Sequence, residues 1–190
     1  MKLTDQLYIV HYYFRIVRVR IWWHMIIRGR VWIFGDEINT DFMFPHTAFR
    51  LPVEEQLKLV FSDNRPGWAE QVTPGDIIIA GNNFGTGSSR PGALQLRRLG
   101  LSCVIADSFN GLFFRNCFGY GFAALQCRGA AAMFEEGDIA VVDLLEGSVM
   151  NERTGEKLIG NPLSQTVVDI VNAGGLEELL IKEGYMESRG

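Results

Sequence analysis

Residues 76–106 read D-I-I-I-A-G-N-N-F-G-T-G-S-S-R-P-G-A-L-Q-L-R-R-L-G-L-S-C-V-I-A. Two short apolar runs, 76–80 and 102–106, flank a glycine-rich loop and a segment of helical character. An unbroken apolar run of this length, bounded by turn residues, is the signature of a strand buried on both faces. The order strand, loop, helix, strand predicts a βαβ unit with a parallel pair and a right-handed crossover. The helix is expected over 91–99, with Gly100 as its left-handed stop.

Working outward, GRVWIF (29–34) alternates apolar positions and predicts a strand. GDEINTD (35–41) is a polar turn loop. Residues 53–61 have helical spacing through Val53, Leu57 and Val60, and 62–76 is loop with two Pro/Gly pairs. Residues 110–121 predict a short helix broken by glycines, 122–127 a third buried strand, and 139–145 a further strand. A hairpin is expected over 148–159 with Thr154-Gly155 at its bend. The tail, 163–184, predicts two helices separated by Gly174-Gly175. With no repeat or interdomain linker, residues 25–190 form one α/β domain with a mixed sheet.

The chain has 190 residues, 47% of them hydrophobic, enough for one substantial core. A net charge of −4 gives no global basic footprint for nucleic acid. No apolar run is long enough to span a membrane. Cys103, Cys117 and Cys127 are odd in number and lack C-x-x-C spacing. They predict buried thiols, no disulfide framework, no metal bound by this chain, and a cytoplasmic setting. Residues 1–24 stand apart. Arg18 and Arg20 alternate with Val17, Val19 and Ile21, which is strand periodicity. They form an N-terminal arm or extension, or else translation starts at Met25, from which the domain opening reads complete.

The glycine loop concentrates chemistry. Pro91 suits the first helical position, which puts Arg90 near the cap and Ser88 and Ser89 just before it. A helix start offers unpaired N–H donors and a positive partial charge. Glycines let backbone amides approach a bound group, and Arg90 adds a planar fork for a carboxylate or phosphate. A P-loop would need a lysine after the last glycine, and G-x-G-x-x-G spacing is absent, so a small carboxylic acid fits better than a nucleotide. The structural alternative is a glycine turn whose serines only cap the helix.

G-N-N-F-G-T-G-S-S-R, followed by A-L-Q-L-R-R-L-G and V-I-A-D-S-F, resembles the small subunit of isopropylmalate dehydratase, the swivel-domain member of the aconitase superfamily. The resemblance continues through GRVWIFGDEINTD (29–41), FFRNCFGYGF (113–122) and DIVNAGGLEELL (169–180), in order over roughly residues 25–184. It implies a swivelling three-layer β/β/α fold like domain 4 of aconitase. It also implies a hydro-lyase of the leucine-biosynthesis type, active only with a large subunit that carries a 4Fe-4S cluster. Its reaction is the reversible dehydration and rehydration of a hydroxy-di- or tricarboxylate. By match to the motif, Ser88 is the catalytic base, Ser89 and Arg90 bind substrate carboxylate, and Asp41 of the T-D step lies at the substrate. Asn116 is expected to brace backbone, and His46 to lie at the surface.

One departure matters. The family continues S-S-R-E-H-A where this chain has S-S-R-P-G-A. The fold should tolerate Pro91-Gly92, at the loss of a local hydrogen-bond network, so the substrate is left open: another branched malate, homocitrate, dimethylmalate or a citrate-like acid. Phe42, Met43 and Phe44 are candidates to line an alkyl pocket, and Arg50 to meet an extra carboxylate. A non-catalytic, anion-binding regulatory module is the alternative reading.

Overall fold

β1 (Ile26–Phe34) changes partners half-way along its length. Ile26–Arg30 pair antiparallel with β5 (Ile139–Asp143), and Val31–Phe34 pair parallel with β2 (Ile77–Ala80). Gly29 sits at the switch. A Cβ there would lie 2.0 Å from the Gly75 carbonyl oxygen, so only glycine lets the two backbones pass this closely. The computed structural model describes residues 25–87 and 90–188. The expected arm over 1–24, together with Ser88 and Ser89, lies outside them.

β2 continues in parallel to β3 (Cys103–Ala106) and β4 (Ala123–Gln126). On the other side β5 is followed antiparallel by β6 (Ser148–Asn151) and β7 (Lys157–Ile159). The result is a mixed seven-stranded sheet in the order β4-β3-β2-β1-β5-β6-β7. The helices are α1 (Thr40–Met43), α2 (Val53–Lys58), α3 (Gly92–Arg98), α4 (Gly111–Gly119), α5 (Ala130–Met133), α6 (Gln165–Ala173) and α7 (Leu176–Lys182).

Alternation along the parallel strands feeds two cores. Trp32, Ile78, Val104 and Ala124 face the helical layer, packing with Leu96 of α3 and Phe113 of α4. Val31, Ile77, Ile79 and Ile105 face the other way. There they share a core with Ala140 and Val142 of β5, Val149 of β6 and Val168 of α6, because the antiparallel half of the sheet curls back over that face. This is the three-layer β/β/α arrangement that the resemblance implied.

Several expectations shift in detail. β1 starts three residues earlier than the alternation predicted, since Arg28 and Arg30 point outward from a strand whose inner residues are apolar. α4 is not broken: Gly111 and Gly119 stand at its ends, and Asn110 caps it through Leu112 N–H at 3.1 Å. The tail behaves as predicted, with Gly174 in the left-handed conformation at the end of α6. Cys103, Cys117 and Cys127 are free and buried. Trp32, Trp68 and Phe113 are core residues.

Two buried carboxylates hold the sheet ends. Asp76, 4% exposed, accepts from Arg30 Nη2 at 2.6 Å, Trp32 Nε1 at 2.7 Å and Thr73 N–H at 2.9 Å. Burial pushes its pKa up, but these donors outweigh it and the net shift is downward. Asp138 accepts from Arg153, Glu135 N–H and Asn151, and is held well below the usual carboxylate range. A folded-state pKa below the unfolded value, about 4, means stability fully present above that pH and lost progressively as the pH falls from there through the folded-state pKa. Asp76→Asn removes this linkage. The stability gap between wild type and Asp76→Asn, read from urea midpoints, is therefore expected to be widest at pH 7 and to narrow by pH 3. A gap that stays constant with pH would contradict the assignment.

Candidate functional site

The glycine loop leaves the C-terminal end of β2 and is laced at once to the loop after β1. Glu37 N–H donates to Asn82 O, Gly85 and Thr86 N–H both donate to Ile38 O, and Thr40 N–H donates to Thr86 O, at 2.8–3.1 Å. Because β1 and β2 are parallel, both loops emerge at the same edge, where open α/β sheets place their sites.

The glycines serve this packing rather than a ligand. Gly85 has φ +85° and its absent Cβ would lie 2.2 Å from the Phe113 ring. Gly87 has φ +92° and a Cβ would lie 2.2 Å from Asn39 Oδ1. The loop is pressed against α4 on one side and residue 39 on the other. The amides of Gly81 and Gly85 are spent on Gly35 O and Ile38 O, which corrects the expectation that these glycines open their amides to a bound group.

The helix start also differs. Pro91 occupies the cap position at φ −75°, ψ 44°, and α3 begins at Gly92, one residue later than predicted. Gly92 N–H is taken by Arg90 O at 2.8 Å. A seven-residue helix has a weak dipole, so the capacity to hold an anion rests on Arg90 itself. Gly92 faces Met43: a Cβ would meet its Sδ at 2.7 Å. A larger residue here would have to displace a fully buried side chain, a local reason for glycine at position 92.

Arg90 is fixed from three directions. Its Nε pairs with Asp41 Oδ1 at 3.0 Å, and its Nη1 donates to Phe44 O at 2.8 Å. Its guanidinium carbon stands 5.7 Å from the Phe49 ring centroid. Asp41 is itself held by α1, where Asn39 Oδ1 accepts its N–H at 2.8 Å. The Arg90 side chain is 20% exposed and that of Asp41 48%, so the guanidinium lies at a rim with a restrained orientation. A guanidinium carries five N–H donors, and the two bonds made here leave others for a carboxylate. The structure thus brings together Arg90 and Asp41. Ser88 and Ser89 precede Arg90 directly in the chain and lie outside the described residues.

The apolar part of the site is not where the sequence suggested. Met43 is fully buried and Phe44 nearly so. Both belong beneath the surface. The exposed aromatic beside Arg90 is Phe49, 52% accessible, with Phe44 edge-on to it at 4.8 Å and the His46 ring tilted against it at 5.7 Å. Its signal lay in the brackets of Pro45 and Pro52, between which His46–Arg50 forms a 3-10 turn. With Ala48 turned inward, the next residue must face out. His46 and Arg50 are exposed, as expected for His46. Asn116 braces no backbone group through its side chain among the described residues; it lines a groove with Tyr120, Leu176 and Leu180.

Burial pushes the thiols of Cys103, Cys117 and Cys127 upward. No grouping of three or more His, Cys, Asp or Glu suited to a metal occurs among the described residues. No helix among them is long and apolar enough to cross a membrane.

Residues 48–129 match the aconitase C-terminal domain family. The chain is 42% identical over 161 residues to the 3-isopropylmalate dehydratase small subunit 1 of Methanopyrus kandleri, covering 84% of this chain and 95% of that protein. It is 42% identical, again over 161 residues, to the isopropylmalate/citramalate isomerase small subunit of Methanocaldococcus jannaschii, covering 83% and 95%. A crystal structure of 3-isopropylmalate dehydratase from Methanocaldococcus jannaschii superposes with a TM-score of 0.77 at 30% identity, over 85% of this chain and 96% of that one.

Proposed function

The chain belongs to the 3-isopropylmalate dehydratase small-subunit family, the small subunits of aconitase-type hydro-lyases, and from that premise we propose that it closes over a large subunit's active site and isomerises an alkyl-substituted malate. The observation that carries this reading is the fixed guanidinium of Arg90, clamped between Asp41 and Phe44 O with an exposed aromatic ring beside it. A carboxylate docks on the remaining N–H donors of Arg90, and an alkyl substituent of the same acid meets Phe49. Asp41 acts through Arg90. Its own carboxylate would repel an anionic substrate, but its pairing sets the plane in which Arg90 presents its fork.

In the dehydration step Ser88, as alkoxide, removes the carbon-bound proton, the C=C bond forms, and the hydroxyl leaves with its electron pair, taking up a proton from an acid of the partner subunit to depart as water. Addition of water in the opposite sense gives the isomer. A 4Fe-4S cluster held by the partner would supply Lewis-acid chemistry at the leaving hydroxyl. A serine hydroxyl is a weak base, so its alkoxide needs local positive charge and exclusion of water, and closure of two subunits around Arg90 provides both. An exposed Arg50 favours a second substrate class, a tricarboxylate such as homocitrate, whose extra carboxylate it would meet.

The test is co-expression with the large subunit from the same genome and an absorbance assay for the unsaturated acid. Neither chain alone should turn over, and the complex should give its highest kcat/KM on an alkyl malate. A higher value on homocitrate or citrate would transfer the assignment to the Arg50 reading. An intact complex inert on every acid, or no complex at all, would leave the non-catalytic module.

A further inference from the structure

At the end of helix α3 away from Arg90, one polar side chain ties it to two other helices. Arg97 Nη1 donates to the carbonyl oxygens of Tyr120 at 2.7 Å and Gly174 at 2.8 Å. Tyr120 is the C-terminal cap of α4, and Gly174 that of α6. Two helix ends, each with unsatisfied carbonyls and a negative partial charge, therefore converge on one guanidinium.

The convergence is built into the backbone. A Cβ on Gly121 would lie 2.2 Å from the Gly174 carbonyl carbon, and one on Gly175 would lie 2.8 Å from Gly119 O. Gly121, Gly174 and Gly175 all have positive φ, and the side-chain atom nearest the Gly174 Cβ position is Arg97 Nη2 at 3.2 Å. The tail's glycine pair is thus shaped to bring the end of α6 onto the end of α4 with Arg97 across both.

The other ends of α3 and α4 hold the glycine loop. α3 follows Arg90 after the Pro91 cap, and Phe113 of α4 supports Gly85 from below. The loop segment Gly81–Gly87 and Arg90 lie between two helices whose far ends are tied by Arg97. We propose that Arg97 is a positioning residue for this loop, acting through the angle between α3 and α4 and touching no substrate. α3 has only two turns; Ala93 and Leu96 seat it in the core, and the tie sets its tilt about that seat. Displacements of about 1 Å at a reacting group cost on the order of a hundredfold in rate.

The kinetic part of this proposal rests on the hydro-lyase reading above, so the experiment has two arms. In the reconstituted complex, Arg97→Met is expected to lower kcat per intact complex by at least about tenfold, and Arg97→Lys to recover most of it, since an ammonium still meets both carbonyls. In the chain alone, amide exchange at Gly85, Thr86 and Gly92 should quicken in Arg97→Met while Ile78 and Val104 in the sheet stay protected. If Arg97→Met does not accumulate folded, Arg97→Gln replaces it, with an intermediate effect expected in both arms. A lower melting temperature with kcat and loop exchange unchanged would make Arg97 a purely structural tie and overturn the proposal. A wild-type complex without activity would count against the hydro-lyase reading alone, and the exchange arm would then decide for or against Arg97.

Discussion

Ser88→Ala is expected to leave the two-subunit complex intact and to lower its kcat by about a thousandfold or more, with KM changed little. The reasoning separates binding from proton removal. In the proposed mechanism binding rests on Arg90, which pairs with Asp41 and Phe44 O. Proton removal from carbon needs a strong base, and the residue assigned to it contributes only as alkoxide. Deleting that oxygen removes an interaction made in the transition state and not in the bound ground state, so kcat and kcat/KM fall together. The measurement is single-substrate kinetics on complexes quantified by co-purification. A Ser88→Ala complex within about threefold of wild type would remove the base assignment and move proton transfer to the partner.

The parallel half of the fold is legible because strands buried on both faces write themselves as unbroken apolar runs, as in 77–80 and 103–106. β1 is less legible. It trades partners at Gly29, and its first half carries two outward arginines that mask the inner apolar face. α1, α5 and the 3-10 turn at His46–Arg50 are four or five residues long, too short for helical periodicity to register.

The site divides the same way. Arg90 and Asp41 stand out as charged residues within motifs, and the parallel pairing of β1 with β2 is what brings them together. The glycines of the loop are legible as necessary, but their purpose is not. Their neighbours, Phe113 and Asn39, come from distant segments whose approach only the fold reveals. Phe49 escapes the sequence for a related reason. Three successive apolar residues, 42–44, looked like a lining, while the turn geometry that buries two of them and exposes Phe49 depends on where Pro45 and Pro52 stop the chain.

Arg90→Lys is expected to cost about a hundredfold in kcat/KM, most of it as raised KM, although the charge is conserved. The guanidinium meets two demands at once before any substrate arrives: Nε on Asp41 at 3.0 Å and Nη1 on Phe44 O at 2.8 Å. Those two bonds define the plane of the group, and so the direction of the edge offered to a carboxylate. An ammonium is a single nitrogen. It can reach Asp41 or the Phe44 carbonyl, yet it cannot hold both and also offer two parallel N–H bonds. Hydrogen bonds to charged groups contribute about 1.5–3 kcal/mol, and each 1.4 kcal/mol is a factor of ten, which sets the expected size. Fold stability should change little, because the Arg90 side chain is partly exposed and the core beneath it, Met43 with Leu96, is untouched. The check is the KM of Arg90→Lys beside that of Asp41→Asn. Asp41→Asn keeps an acceptor for Nε but weakens the tie, so its KM should fall between wild type and Arg90→Lys. If Arg90→Lys binds substrate as wild type does, the carboxylate is held elsewhere and Arg90 is reduced to a neighbour of the site.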